Sequence, residues 1–173
     1  MNITNNLKND ILHAPDWFHQ AIQDKPEDKI FEHKLGNVSY SKWATSSANK
    51  NLIVLLHGGG AHKKWWDPIG PQIKEIGNII AIDLPGMGFS DFREKYSIID
   101  YGNCVTEIIE KEKSDYDLKT VSIVGHSLGG HVAGYIATER KDLITNIIII
   151  DTFIRPPDYD ASKHRGPLAM IRY

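Results

Sequence analysis

A serine stands between two glycines in Gly125-His126-Ser127-Leu128-Gly129. The residues before it, VSIV at 121–124, read as a β-strand, and a helical pattern runs from Leu128 to Lys141. The pattern G-x-S-x-G at such a junction suits a nucleophile. The serine takes a strained backbone conformation, and glycines two residues before and after it let the neighbouring chain pass. The helix N-terminus favours the negative charge that develops on reaction, and the Leu128 amide can point at that charge. A structural glycine-rich turn would also fit the spacing; the strand before and the helix after favour the nucleophile.

Two more stretches end buried-strand patterns. His57-Gly58-Gly59-Gly60 follows the apolar run Leu52–Leu56. Its glycines let backbone N–H groups approach a substrate oxygen, and Gly59 is the candidate second oxyanion donor beside Leu128. A phosphate loop fits poorly: Lys63 and Lys64 are followed by Trp65, and no G-x-G-x-x-G occurs. His57 reads as a support for the loop, and Trp65 and Trp66 as helix-packing residues. Asp83-Leu84-Pro85-Gly86-Met87-Gly88-Phe89-Ser90 builds a tight turn at the end of the next strand. In open parallel sheets that end carries the site. Asp83 and Ser90 there read first as loop organisers.

The elements that must position these residues alternate between strands and helices. A short helix is expected over 15–23, and two strands over 29–44 that meet at Gly36-Asn37, a dipeptide suited to a tight hairpin. Strands follow at 52–56, 78–83, 121–125 and 146–151, each read as buried, with helices at 65–77, 98–113 and 128–141. A strand apolar on both faces belongs in the middle of a parallel sheet. The alternation predicts an α/β fold: one mostly parallel sheet with helices on both faces. After Asp151 the pattern becomes irregular, and Pro156-Pro157 excludes a helix there.

Bulk composition narrows the partners. The 173 residues suffice for one domain with a core, and 41% of them are hydrophobic, which argues against disorder. A net charge of −2 supplies no basic field for nucleic acid or an acidic membrane. Cys104 is the only cysteine, so no disulfide forms within the chain and a cysteine-based zinc site is not expected. It reads as a small apolar residue in a helix. The N-terminus has no basic start followed by an apolar run, and no stretch approaches the length of a membrane span. A cytoplasmic location is the default expectation, with no metal and no organic cofactor.

HGGG, DLPGMGFSD and GHSLGG, in that order, resemble the α/β-hydrolase superfamily over about residues 27–151, in its branch of serine hydrolases with a lid. The resemblance implies a Ser127 nucleophile, oxyanion amides from Leu128 and Gly59, and a small-molecule acyl substrate such as a carboxylic ester. Ser127 in place of an aspartate argues against dehalogenase and epoxide hydrolase chemistry. The family order is serine, then acid, then histidine. It implies that residues 1–26 are a leader, 27–151 the N-terminal part of the core, and 152–173 the start of a lid. The chain is therefore expected to be truncated before the C-terminal triad residues and weak or inactive as it stands. Asp151 ends the strand after the nucleophile, where some lid-bearing relatives keep the triad acid; it also reads as a cap for the next loop. The histidines after Ser127 are His131, read as packing or lining the pocket, and His164 in the irregular tail. A non-catalytic small-ligand-binding protein on the same fold is the alternative.

Overall fold

The computed structural model describes residues 13–45 and 48–153. Six strands form one sheet: β1 (Glu27–Phe31), β2 (Val38–Trp43), β3 (Asn51–Leu56), β4 (Asn78–Ile82), β5 (Thr120–His126) and β6 (Asn146–Ile150). Their spatial order is β1-β2-β4-β3-β5-β6. The β1–β2 and β2–β4 pairs are antiparallel, and β4, β3, β5 and β6 run parallel. Among the described residues four α-helices accompany the sheet: α1 (Asp16–Gln23), α2 (Gly70–Ile73), α3 (Ile98–Tyr116) and α4 (Leu128–Glu139). No helix among the described residues is long and apolar enough to cross a membrane.

The central strands are apolar on both faces because both faces are covered. Leu52, Val54 and Leu56 of β3, with Ile80 and Ile82 of β4, pack on one side against Tyr101, Val105 and Ile108 of α3 and Val132 and Ile136 of α4. The alternate residues Ile53, Leu55, Ile79 and Ala81 pack on the other side with Trp43 and Trp66. This two-sided burial is the expected mark of a parallel sheet. Cys104 lies fully buried in α3, where burial raises its thiol pKa.

Three local expectations are corrected. The segment 65–77 is not one helix: a 3-10 turn spans Lys63–Trp66, and α2 has four residues. Pro68 and Pro71 lack the N–H groups that a continuous helix would need. The β1–β2 connection runs from Glu32 to Asn37 rather than through a tight turn at Gly36-Asn37. Gly36 has φ +116°, and Asn37 is instead tied to Asp91 by hydrogen bonds in both directions. The strand at 146–151, buried by its pattern alone, is the sheet edge among the described residues, the unprotected edge expected of a chain truncated before the lid. Its isoleucines are exposed, Ile148 by 54%.

Helix α3 starts at Ser97, whose hydroxyl accepts from the Asp100 amide at 3.1 Å. Near its end Glu112 is buried and joins β2. Its carboxylate accepts from the Lys42 ammonium at 2.5 Å and from the Tyr40 hydroxyl at 2.8 Å. The Lys42 nitrogen also sits 3.0 Å above the centroid of the Tyr116 ring. Burial and the bond to Glu112 raise the Tyr40 pKa, so it stays a donor. Replacing Glu112 by Ala strands the Lys42 charge in the core. The expected loss is about 3–5 kcal/mol in a urea titration. Pairing Glu112→Leu with Lys42→Met should recover most of it.

Candidate active site

The loops at the C-terminal ends of β3, β4 and β5 meet beside Ser127. The order of strands reverses around β3, with β4 on one side and β5 on the other, the switch point at which open α/β sheets bind their ligands. Ser127 joins β5 directly to α4, with φ 50° and ψ −113°. A serine with positive φ is strained, and here it is held on two sides. Its amide donates to the Ile150 carbonyl of β6 at 3.0 Å, and its carbonyl accepts from the Thr152 hydroxyl and the Gly130 amide, both at 3.0 Å.

The glycines around it are required by contact. A Cβ on Gly125 would stand 2.3 Å from the Gly129 carbonyl oxygen, and one on Gly129 would stand 2.5 Å from the Leu56 carbonyl oxygen. The Gly129 amide donates to the His57 carbonyl at 3.1 Å, which brings the start of α4 onto the loop after β3. A Cβ on Gly59 would touch the Leu128 side chain at 3.9 Å. Among the described residues the Gly59 and Leu128 amides have no acceptor, and Leu128 follows the serine directly in the chain.

His57 is fully buried behind this loop. Its Nε2 accepts from the Leu84 amide at 3.0 Å, so Nδ1 carries the proton and donates to the Gly58 carbonyl at 2.7 Å. Nε2 thereby joins the loops after β3 and β4, and Nδ1 braces the loop after β3. Asp83 is equally buried: it accepts from the Lys63 amide at 2.6 Å and the Phe89 amide at 2.9 Å. Ser90 donates to the Asp83 carbonyl at 2.7 Å and accepts from the Ser39 amide at 2.9 Å. These three side chains organise loops, as their sequence positions suggest.

Burial holds the His57 pKa below its ordinary value, and burial does the same for His33. The unfolded chain then binds protons that the folded chain refuses. Stability is full above about pH 6.5 and is lost as pH falls below it. The urea midpoint is expected to drop between about pH 7.5 and about pH 5.5, and His33→Asn should flatten part of that slope.

Asp151 follows β6 with φ 46° and is exposed, one residue beyond the carbonyl that holds the Ser127 amide. His131 lies on α4 with its Nε2 2.8 Å from the Phe153 carbonyl. His164 lies outside the described residues. No described histidine is hydrogen-bonded to the Ser127 hydroxyl. Three features escaped the sequence reading. Lys42 and Lys63 are buried, although lysine ordinarily signals surface. Trp65 is half exposed and stacks on His126, rather than packing inside a helix.

A strained serine thus stands at the turn from β5 to α4. Residues 51–170 match the family model of the alpha/beta hydrolase fold, and the chain belongs to that family. An uncharacterized protein of Mycobacterium bovis is 35% identical over 99 residues, which cover 57% of this chain and 28% of its own length. The pimeloyl-[acyl-carrier protein] methyl ester esterase of Neisseria meningitidis serogroup C is 29% identical over 103 residues, 60% of this chain and 37% of its own. The thioesterase domain from the curacin biosynthetic pathway superposes with a TM-score of 0.67 at 22% identity, over 83% of this chain and 49% of that one. The chain thus spans about a third of the length of these curated relatives.

Proposed function

We propose that this chain carries the nucleophile and oxyanion site of a serine hydrolase acting on a carboxylic ester or related acyl substrate. The observation that carries the reading is the positive-φ serine at the start of α4, with the Gly59 and Leu128 amides left without an acceptor among the described residues. The Ser127 hydroxyl attacks the acyl carbon, and the carbonyl oxygen takes up the negative charge. The two amides receive that charge without having to reorganise. A histidine accepts the serine proton and passes it to the leaving alcohol, and water then hydrolyses the acyl-enzyme. Asp151 is the proposed carboxylate partner of that histidine, since it stands at the end of β6 on the serine's side of the sheet. Similarity to a methyl ester esterase supports an ester as substrate.

The test is covalent labelling by a fluorophosphonate, with the adduct located by peptide mass. A folded chain that takes no label at Ser127 would falsify the reading. A second reading, a small-ligand-binding module, draws on the lack of a described histidine bonded to the serine. Turnover of p-nitrophenyl esters, set against melting shifts with the same esters, separates the two.

A further inference from the structure

The loop after β3 grips the residue that precedes the nucleophile. The His126 imidazole stacks on the Trp65 indole, with ring centroids 5.4 Å apart and planes 25° from parallel. The ring also meets Gly58. A Cβ on Gly58 would stand 2.9 Å from His126 Nδ1, 3.3 Å from its Cε1 and 3.2 Å from Ser127 Cβ. The free Gly59 amide lies between these two contacts in the chain.

Both ends of that loop are fixed, and its middle is held by one turn, in which the Gly58 carbonyl accepts from the Ala61 amide at 3.2 Å and from His57 Nδ1 at 2.7 Å. His57 is locked by its bonds to Leu84 and Gly129. Lys63 is locked by its amide on Asp83 and its ammonium on Asp28 and Ser39, each ammonium contact 2.7 Å. Gly59 and Gly60 are exposed, and their amides have no acceptor among the described residues. Beyond that turn, the stretch packs on the His126 ring and on Ser127 Cβ through Gly58. His126 Nδ1 is buried without a hydrogen-bond partner. On this side the imidazole supplies shape, not a bond.

We propose that His126 is a positioning residue: a planar wedge in contact with Gly58 and Trp65 that sets the distance from the Gly59 amide to the oxyanion formed at Ser127. The proposal rests on the reading of Ser127 as nucleophile. An oxyanion donor works only within about 2.7–3.1 Å of the developing charge, and a misplacement of about 1 Å can cost roughly 10²-fold in rate. Removing the wedge should slow the chemical step and leave binding alone. A flat ring without nitrogen should serve nearly as well.

The experiment measures fluorophosphonate inactivation of the full chain, separating the limiting rate from the half-saturating concentration. His126→Ala is expected to lower the limiting rate about 10–100-fold, with half-saturation within about 2-fold. His126→Phe is expected to restore the rate to within about 3-fold of the parent. Should His126→Ala fail to fold, Trp65→Ala removes the ring's stacking partner and carries the same expectation. Equal rates in His126→Ala and the parent overturn the proposal, as does a His126→Phe variant as slow as His126→Ala. A parent chain that takes no label at Ser127 overturns the nucleophile reading and this role with it. A labelled parent with an indifferent His126 overturns the wedge alone.

Discussion

Ser127→Ala will abolish acyl transfer and fluorophosphonate labelling while leaving the fold intact. Loss of the nucleophile removes the bond-forming atom, so the expected fall is at least about 10³-fold, down to whatever the oxyanion amides alone provide. Stability should stay within about 0.5 kcal/mol of the parent. The Ser127 hydroxyl makes no hydrogen bond among the described residues, and its backbone bonds to Ile150, Thr152 and Gly130 do not involve the side chain. The strain at φ 50° falls on alanine as it does on serine. Ser90, in the loop after β4, is buried with its hydroxyl committed to Asp83 and Ser39, and the Ser97 hydroxyl caps α3 through Asp100. Labelling that survives in Ser127→Ala at the parental rate would therefore place the chemistry outside this site.

The residues that could be read from the sequence are those whose identity is forced by local geometry. Gly125 and Gly129 were readable because a turn from strand to helix around an exposed side chain leaves no room for a Cβ, and contacts of 2.3 Å and 2.5 Å state that requirement in space. The inner strands were readable because burial on both faces writes an unbroken apolar run, as in Leu52–Leu56. The same rule misleads at β6. A run of isoleucines looks alike in the middle of a sheet and at its edge, since burial depends on what lies beside the strand and not on the strand itself. The segment 65–77 misled for another reason. Its apolar spacing is helical, but Pro68 and Pro71 interrupt the backbone bonds, and the chain settles for a 3-10 turn and a four-residue helix. The buried Lys42 and Lys63 and the Trp65–His126 stack are contacts between distant segments. No local pattern records them.

Gly129 and Gly134 sit on the same helix, α4, and alanine at the two positions is expected to act in opposite directions. A Cβ on Gly129 would meet the Leu56 carbonyl oxygen at 2.5 Å and the His57 carbonyl oxygen at 2.7 Å. Both are backbone atoms at the end of β3, a strand paired on both sides, so neither can swing away as a side chain would. The first turn of α4 would have to lift off the sheet, breaking the Gly129–His57 hydrogen bond and moving the Leu128 amide from the serine. Overpacking ordinarily costs about 1–3 kcal/mol, and an unyielding backbone contact puts Gly129→Ala at or above the top of that range. Gly129→Val adds branched bulk at the same point. Against a typical total stability of about 5–15 kcal/mol, it should leave little folded protein. A Cβ on Gly134, by contrast, has nothing within 4 Å. Alanine there only removes backbone freedom from the unfolded chain and raises helix propensity, a gain of about 0.5–1 kcal/mol. Urea midpoints of the two alanine variants measured side by side decide the matter. A Gly129→Ala chain as stable as Gly134→Ala would mean that α4 does not rest on β3 as described, and that the serine is not held where its backbone now places it.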